Sequence, residues 1–158
     1  MADTGNAATF TVERSTTIAA TPDRIFESLI DFHNWVDWSP WEGIDPNMAR
    51  TYSGPDAGVG TVYEWEGIRK VGKGRMEITG ADAPKDLEIK LDFIKPFKAS
   101  NTTVFTLDAI GDDTRLTWTM TGPKTLLSKI MGIFMSMDKL VGKDFEKGLA
   151  QLKTIAER

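Results

Sequence analysis

The stretch Asp86-Leu87-Glu88-Ile89-Lys90-Leu91-Asp92-Phe93-Ile94 alternates apolar and charged side chains without a break until its last residue. Successive side chains on a strand point to opposite faces. This spacing therefore predicts a strand with Leu87, Ile89, Leu91 and Phe93 on a buried face and Glu88, Lys90 and Asp92 in water. Such two-sidedness belongs to an antiparallel sheet, because parallel strands covered on both faces read as continuous apolar runs. Moving outward, the period recurs. Residues 100–109 offer Thr103, Phe105 and Leu107 on one side, and residues 115–121 offer Leu116, Trp118 and Met120. Gly111-Asp112-Asp113 joins these two as a tight hairpin. Upstream, residues 74–80 place Met76 and Ile78 together, residues 61–66 alternate, residues 48–53 form a short strand, and residues 10–18 carry the β-branched run of a first strand.

Two segments change period. Thr21-Pro22-Asp23 is a helix start: Thr21 caps, Pro22 fits the first helical position and Asp23 favours the positive end of the dipole. Ile25, Phe26 and Leu29 then share a face, and Asp31 caps a second short helix in which Phe32, Trp35 and Trp38 are spaced by three. At the other end Phe134, Met137, Val141, Phe145, Leu149 and Leu152 recur at three and four, with Lys139, Lys143, Glu146, Lys147 and Lys153 opposite. This predicts an amphipathic helix of about 30 residues, broken or kinked near Gly132. Gly142 and Gly148 cost it roughly 1 kcal/mol each against alanine, a sign of close approach to the sheet.

The chain has 158 residues, 41% of them apolar, and a net charge of −4. That length suits one domain, expected over residues 10–158 behind a flexible leader at 1–9. There is no cysteine and a single histidine, His33. Disulfide frameworks, thiol catalysis and multi-histidine metal sites drop out, and no metal or other cofactor is expected. Residues 1–9 lack the features of a signal peptide, and a cysteine-free chain fits the cytoplasm. No apolar run approaches the ~20 residues of a membrane span, so no stable membrane insertion is expected. A pI near 5.0 speaks against nucleic-acid binding.

One strand, two short helices, six strands and a long helix give an α+β architecture. Its simplest closure curls a seven-stranded antiparallel sheet around the C-terminal helix. Large, adaptable side chains are aimed at the space between: Trp65, Phe93, Phe105, Trp118 and Met120 from the sheet, Met131 and Met135 from the helix. Such a lining suits an apolar ligand.

Particular motifs carry a resemblance. Ile18-Ala19-Ala20-Thr21-Pro22, Ile25-Phe26, Asp31 and the run from Trp35 to Trp41 resemble the SRPBCC superfamily, which holds the START, Bet v 1-like and polyketide cyclase-like domains. Gly58-Val59-Gly60-Thr61-Val62-Tyr63-Glu64-Trp65 is similar to its third-strand signature. Pro96-Phe97, the run from Thr114 to Trp118 and the run from Lys143 to Leu149 are similar to its later blocks. The resemblance implies the helix-grip fold, with members that bind lipids, hormones or polyketides, act as enzymes, or activate the Hsp90 chaperone.

Candidate site residues have two readings each. Trp35, Trp38 and Trp41 either line a pocket entrance or plug the sheet end, with Trp41 the more open of the three to a ligand role. Tyr63 offers a hydroxyl anchor on an apolar face. His33, Tyr63 and Glu64 are the acid–base candidates, set against a surface role for His33 and a solvated face for Glu64 and Glu66. Met131 and Met135 face a cavity or are packed core. Residues from Lys124 onward carry seven basic and four acidic side chains, which reads as a solvated helix face or a membrane-touching one. The expected function is binding or transport of a hydrophobic small molecule, lipid-like or polycyclic. The alternatives are a polyketide cyclase or aromatase and an Hsp90-activator-like interaction module.

Overall fold

The computed structural model describes residues 9–68, 72–95, 98–123 and 137–158. Strands β1 (Thr9–Ile18), β2 (Ala49–Ser53), β3 (Val62–Glu66), β4 (Lys73–Asp82), β5 (Asp86–Lys95), β6 (Ala99–Ile110) and β7 (Asp113–Pro123) form one sheet in the order β1-β7-β6-β5-β4-β3-β2. Every neighbouring pair is antiparallel. Helix α1 (Pro22–Ile30) and a 3-10 helix (Phe32–Asp37) lie between β1 and β2, and helix α2 (Met137–Ala156) closes the chain.

Alternation in β5 has the predicted sense. Leu87 and Ile89 are fully buried, and Glu88 and Lys90 are exposed. Burial falls off along the strand, so that Leu91 and Phe93 are half-buried. Ile110 pairs with Asp113 across the two-residue turn Gly111-Asp112, the hairpin expected from the sequence.

The start signals act as read. Thr21 Oγ1 accepts from the Arg24 backbone N–H at 3.3 Å, and Asp31 Oδ1 accepts from that of His33 at 2.9 Å. The second short helix is 3-10, which its spacing of three explains: in that geometry residues i and i+3 eclipse. Phe32 and Trp35 therefore lie on one side, meet edge-on at 5.4 Å and are buried, and Trp38 follows as the buried cap. The Trp35 and Trp38 indoles donate to the carbonyls of Leu29 and Ser28 at 3.0 and 2.9 Å, which fixes the 3-10 helix to α1.

Helix α2 buries Phe145, Leu149, Leu152 and Ala156, one stripe at steps of four, three and four. Gly148 permits the approach: a Cβ there would lie 2.9 Å from Pro40 and 3.0 Å from Trp118. Arg24 Nε donates to the Ala156 carbonyl at 2.6 Å, joining α1 to the end of α2. The helix expected to run for about 30 residues is described from Met137. Its expected beginning, the Gly132 break, Met131 and Met135 lie outside the described residues, as does Pro96-Phe97. Among the described residues no helix is long and apolar enough to cross a membrane.

Candidate ligand site on the concave face

Two zones share the face that the sheet turns toward α2. The first is a block of rings. Trp118 stacks on Phe145 at 4.0 Å between centroids, lies 5.0 Å from Phe105 and 5.6 Å from Trp38, and meets Trp41 edge-on at 5.9 Å. Trp38, Phe105, Trp118 and Phe145 are all at most 2% exposed. Offset and edge-on pairs of this kind are worth about 0.5–1.5 kcal/mol each beyond the area they bury. Trp41 sits at the rim of the block, 37% exposed, its indole donating to Asp144 at 3.1 Å.

The second zone is more open and follows the strand register. One row runs Tyr52, Tyr63, Met76, Leu91 and Asn101 across β2, β3, β4, β5 and β6. The next runs Trp65, Gly74, Phe93 and Ala99. Tyr52, Trp65, Met76, Leu91 and Phe93 are half-buried although their side chains are large and apolar or aromatic. Tyr63 and Trp65 stack at 6.1 Å, and Trp65 meets Phe93 edge-on at 6.3 Å. On the other side of the sheet an open groove of about 490 Å³ passes between Thr79, Lys90, Thr102 and Thr121. It is largely open to solvent, and Asn101 and Gly122 also contribute to its lining.

Polar groups border the second zone. The Tyr63 hydroxyl donates to Glu42 Oε2 at 3.2 Å. Glu42 also accepts from Arg50, at 3.1 Å from Nε and again from Nη2. The carboxylate is the more buried partner, with 11% of its side chain exposed. Burial first, and the negative Glu42 second, push the Tyr63 phenol well above its ordinary range. Tyr52 is raised for the same two reasons. The hydrogen bond to Glu42 raises Arg50 further and keeps it charged. His33 stacks on Tyr52 at 4.0 Å, with its Nδ1 2.8 Å from Asp31 and half its side chain in solvent. Glu64 points to the exposed face. The three acid–base candidates are thus not one cluster: Tyr52 stands between His33 and Tyr63, and Glu64 is on the opposite side. Among the described residues no three His, Asp or Glu side chains converge where a cation could be held.

Among the described residues, two buried side chains carry polar atoms without a partner. Asn101 is 5% exposed and neither its Oδ1 nor its Nδ2 is hydrogen-bonded; the Trp118 indole N–H is the other. A buried group left unpaired costs roughly 1–3 kcal/mol.

The family described as polyketide cyclase/dehydrase and lipid transport matches residues 9–157, almost the whole chain. The chain belongs to that family. It is an SRPBCC-type domain with the Bet v 1-like fold. Protein CV1439 from Chromobacterium violaceum is similar at 16% identity and a TM-score of 0.67, over 94% of this chain and 97% of that one. The major latex-like protein 151 of Panax ginseng is similar at 16% identity and a TM-score of 0.66, over 96% and 99%. The Aha1 dimer of Colwellia psychrerythraea is similar at 16% identity and a TM-score of 0.63, over 94% and 96%. Identities this low make these likenesses of fold. No curated protein matches the chain.

Of the residues the sequence points to, Tyr63, Trp65 and Phe93 gather in the half-buried zone, while Phe105, Trp118 and Trp41 belong to the ring block. Met120, 5% exposed, pairs with Thr103 on β6 and Val12 on β1. Glu42, Arg50, Tyr52 and Asn101 escape sequence reasoning. Glu42 lies in the irregular segment before β2, where no period assigns a face. Asn101 was within reach: carried back two residues, the alternation Thr103, Phe105, Leu107 puts a polar amide on the family domain's inner face.

Proposed function

We propose that the protein binds a hydrophobic small molecule, lipid-like or polycyclic, against the concave face of its sheet and carries it through the cytoplasm. The observation that supports this most is the second zone. Large apolar and aromatic side chains on the inward face stay half-buried there, while the same face is fully buried further along β4 and β5, at Ile78, Leu87 and Ile89. A stretch of apolar surface kept inside the fold yet incompletely covered has a ligand as its natural cover. In this reading Tyr63, Trp65 and Phe93 touch the ligand. Phe105, Trp118 and Met120 form the floor and Trp41 the rim. The family description, which names lipid transport, agrees with it.

Nile red tests the proposal. It should bind the native protein saturably, shift its emission to the blue and be displaced by long-chain or polycyclic compounds. Failure to bind any such compound overturns the reading.

The Tyr63–Glu42–Arg50 chain favours a second reading, a cyclase- or dehydrase-like enzyme. There the cavity folds a poly-ketone chain and proximity supplies much of the rate. In that reading Tyr63, held neutral, turns its hydroxyl from Glu42 to donate to a ketone oxygen. Turnover of a ketone panel that is lost in Tyr63→Phe while Nile red still binds would establish it. Absence of turnover with intact binding leaves the carrier.

A further inference from the structure

We propose that Asn101 is the polar anchor of the bound molecule, its side-chain carboxamide taking a ligand group that presents a donor and an acceptor side by side. Primary amides, protonated carboxylic acids and hydroxy-ketones share that chemistry. The inference rests on the reading of the concave face as a ligand site.

Asn101 is enclosed, yet both faces of its amide chemistry are unused. A carboxamide has one acceptor and two donors, so a ligand edge that both gives and takes satisfies it at once. Several other polar groups of this face are engaged within the protein. The Tyr63 hydroxyl is on Glu42, and the Trp35 and Trp38 indoles are on α1 carbonyls. The unpaired Trp118 indole is walled in by the rings of Phe145, Phe105 and Trp38.

Asn101 has a different setting. Across β5 it faces Leu91, and beyond that Met76, both half-buried and belonging to the open zone. On its other side Gly122 contributes no side chain, and a Cβ there would lie 2.9 Å from the Asn101 Cβ and 3.0 Å from the Phe10 ring. The amide is thus closed off toward β1 and borders movable apolar side chains toward β4. A ligand lying over Met76 and Leu91 with its polar end toward β6 meets it.

The test is a cycle of two proteins and two ligands matched in shape. Naphthamide and isopropylnaphthalene differ as a carboxamide differs from an isopropyl group, and Asn101→Leu makes nearly the same change in the protein. Each compound is used to displace Nile red. The ratio of the two affinities should move by at least about tenfold toward isopropylnaphthalene in Asn101→Leu, the worth of two hydrogen bonds in a dry site. Ligand-free Asn101→Leu should keep or raise its denaturation midpoint, because it removes an unpaired amide. An unchanged affinity ratio overturns the anchor and leaves the ligand site standing. A marked fall in the midpoint shows that the fold itself uses the amide, and overturns it too. If Nile red and both naphthalenes fail to bind the parent protein, the ligand site fails and the anchor with it. Should the leucine variant not fold, Asn101→Val carries the same comparison.

Discussion

Tyr63 and Tyr52 are the only two tyrosines of the chain, and both phenols are pushed up by burial and by Glu42. A tyrosine ordinarily titrates near pH 10. The unfolded chain therefore loses these protons first, so the stabilisation is complete below pH ~10 and drains away as pH rises beyond it. The native protein at pH ~10 should show little tyrosinate absorbance, with about half the signal of two phenolates appearing on denaturation at that pH. Half-ionised tyrosines in the native protein at that pH would contradict the burial of the pair. Ile89, fully buried in the middle of β5, should cost roughly 2–5 kcal/mol when cut to alanine. Its exposed neighbour Glu88 should change stability by no more than about 0.5 kcal/mol. Chemical denaturation of the two variants measures both. Equal costs would mean that the alternation does not divide core from solvent.

At the scale of the element, β5 was legible because its two faces differ in every residue from Leu87 to Phe93, and α1 because its cap, proline and acidic residue stand in order. The 3-10 helix was legible as a helix, and its type follows from the spacing of three. What could not be read was the path of the segment before β2. It carries Glu42 by turns and prolines, without a period, to the Tyr63 hydroxyl. Asn101 was hidden differently. Its strand was recognised, but the strand was read from Thr103, Phe105 and Leu107, and the amide two residues earlier in the same inward series was passed over. The glycines of α2 tell of packing. Replacing Gly148 by alanine gains roughly 1 kcal/mol of helix propensity but drives a Cβ to within 3.0 Å of Pro40 and Trp118. Overpacking of this kind costs about 1–3 kcal/mol, so Gly148→Ala should destabilise the protein or at best leave it unchanged. A clear rise in the thermal midpoint would show that α2 does not sit as close to Trp118 as described.

For the molecule as a whole, an open antiparallel sheet has one apolar face and must cover it. Helices α1 and α2 and the ring block cover the middle and one end. The other end keeps its aromatic side chains half-exposed on the inner side. That division of one face into a finished core and an unfinished lining is the centre of the account, and methyl NMR reads it directly. With methionine, leucine, isoleucine and valine methyls labelled, the protein is titrated with isopropylnaphthalene. The account predicts saturable shifts at Met76 and Leu91, smaller ones at Met120, and none at the exposed Val59 and Ile110. Shifts confined to Val59 and Ile110, or no saturable shift at Met76 and Leu91, would contradict it.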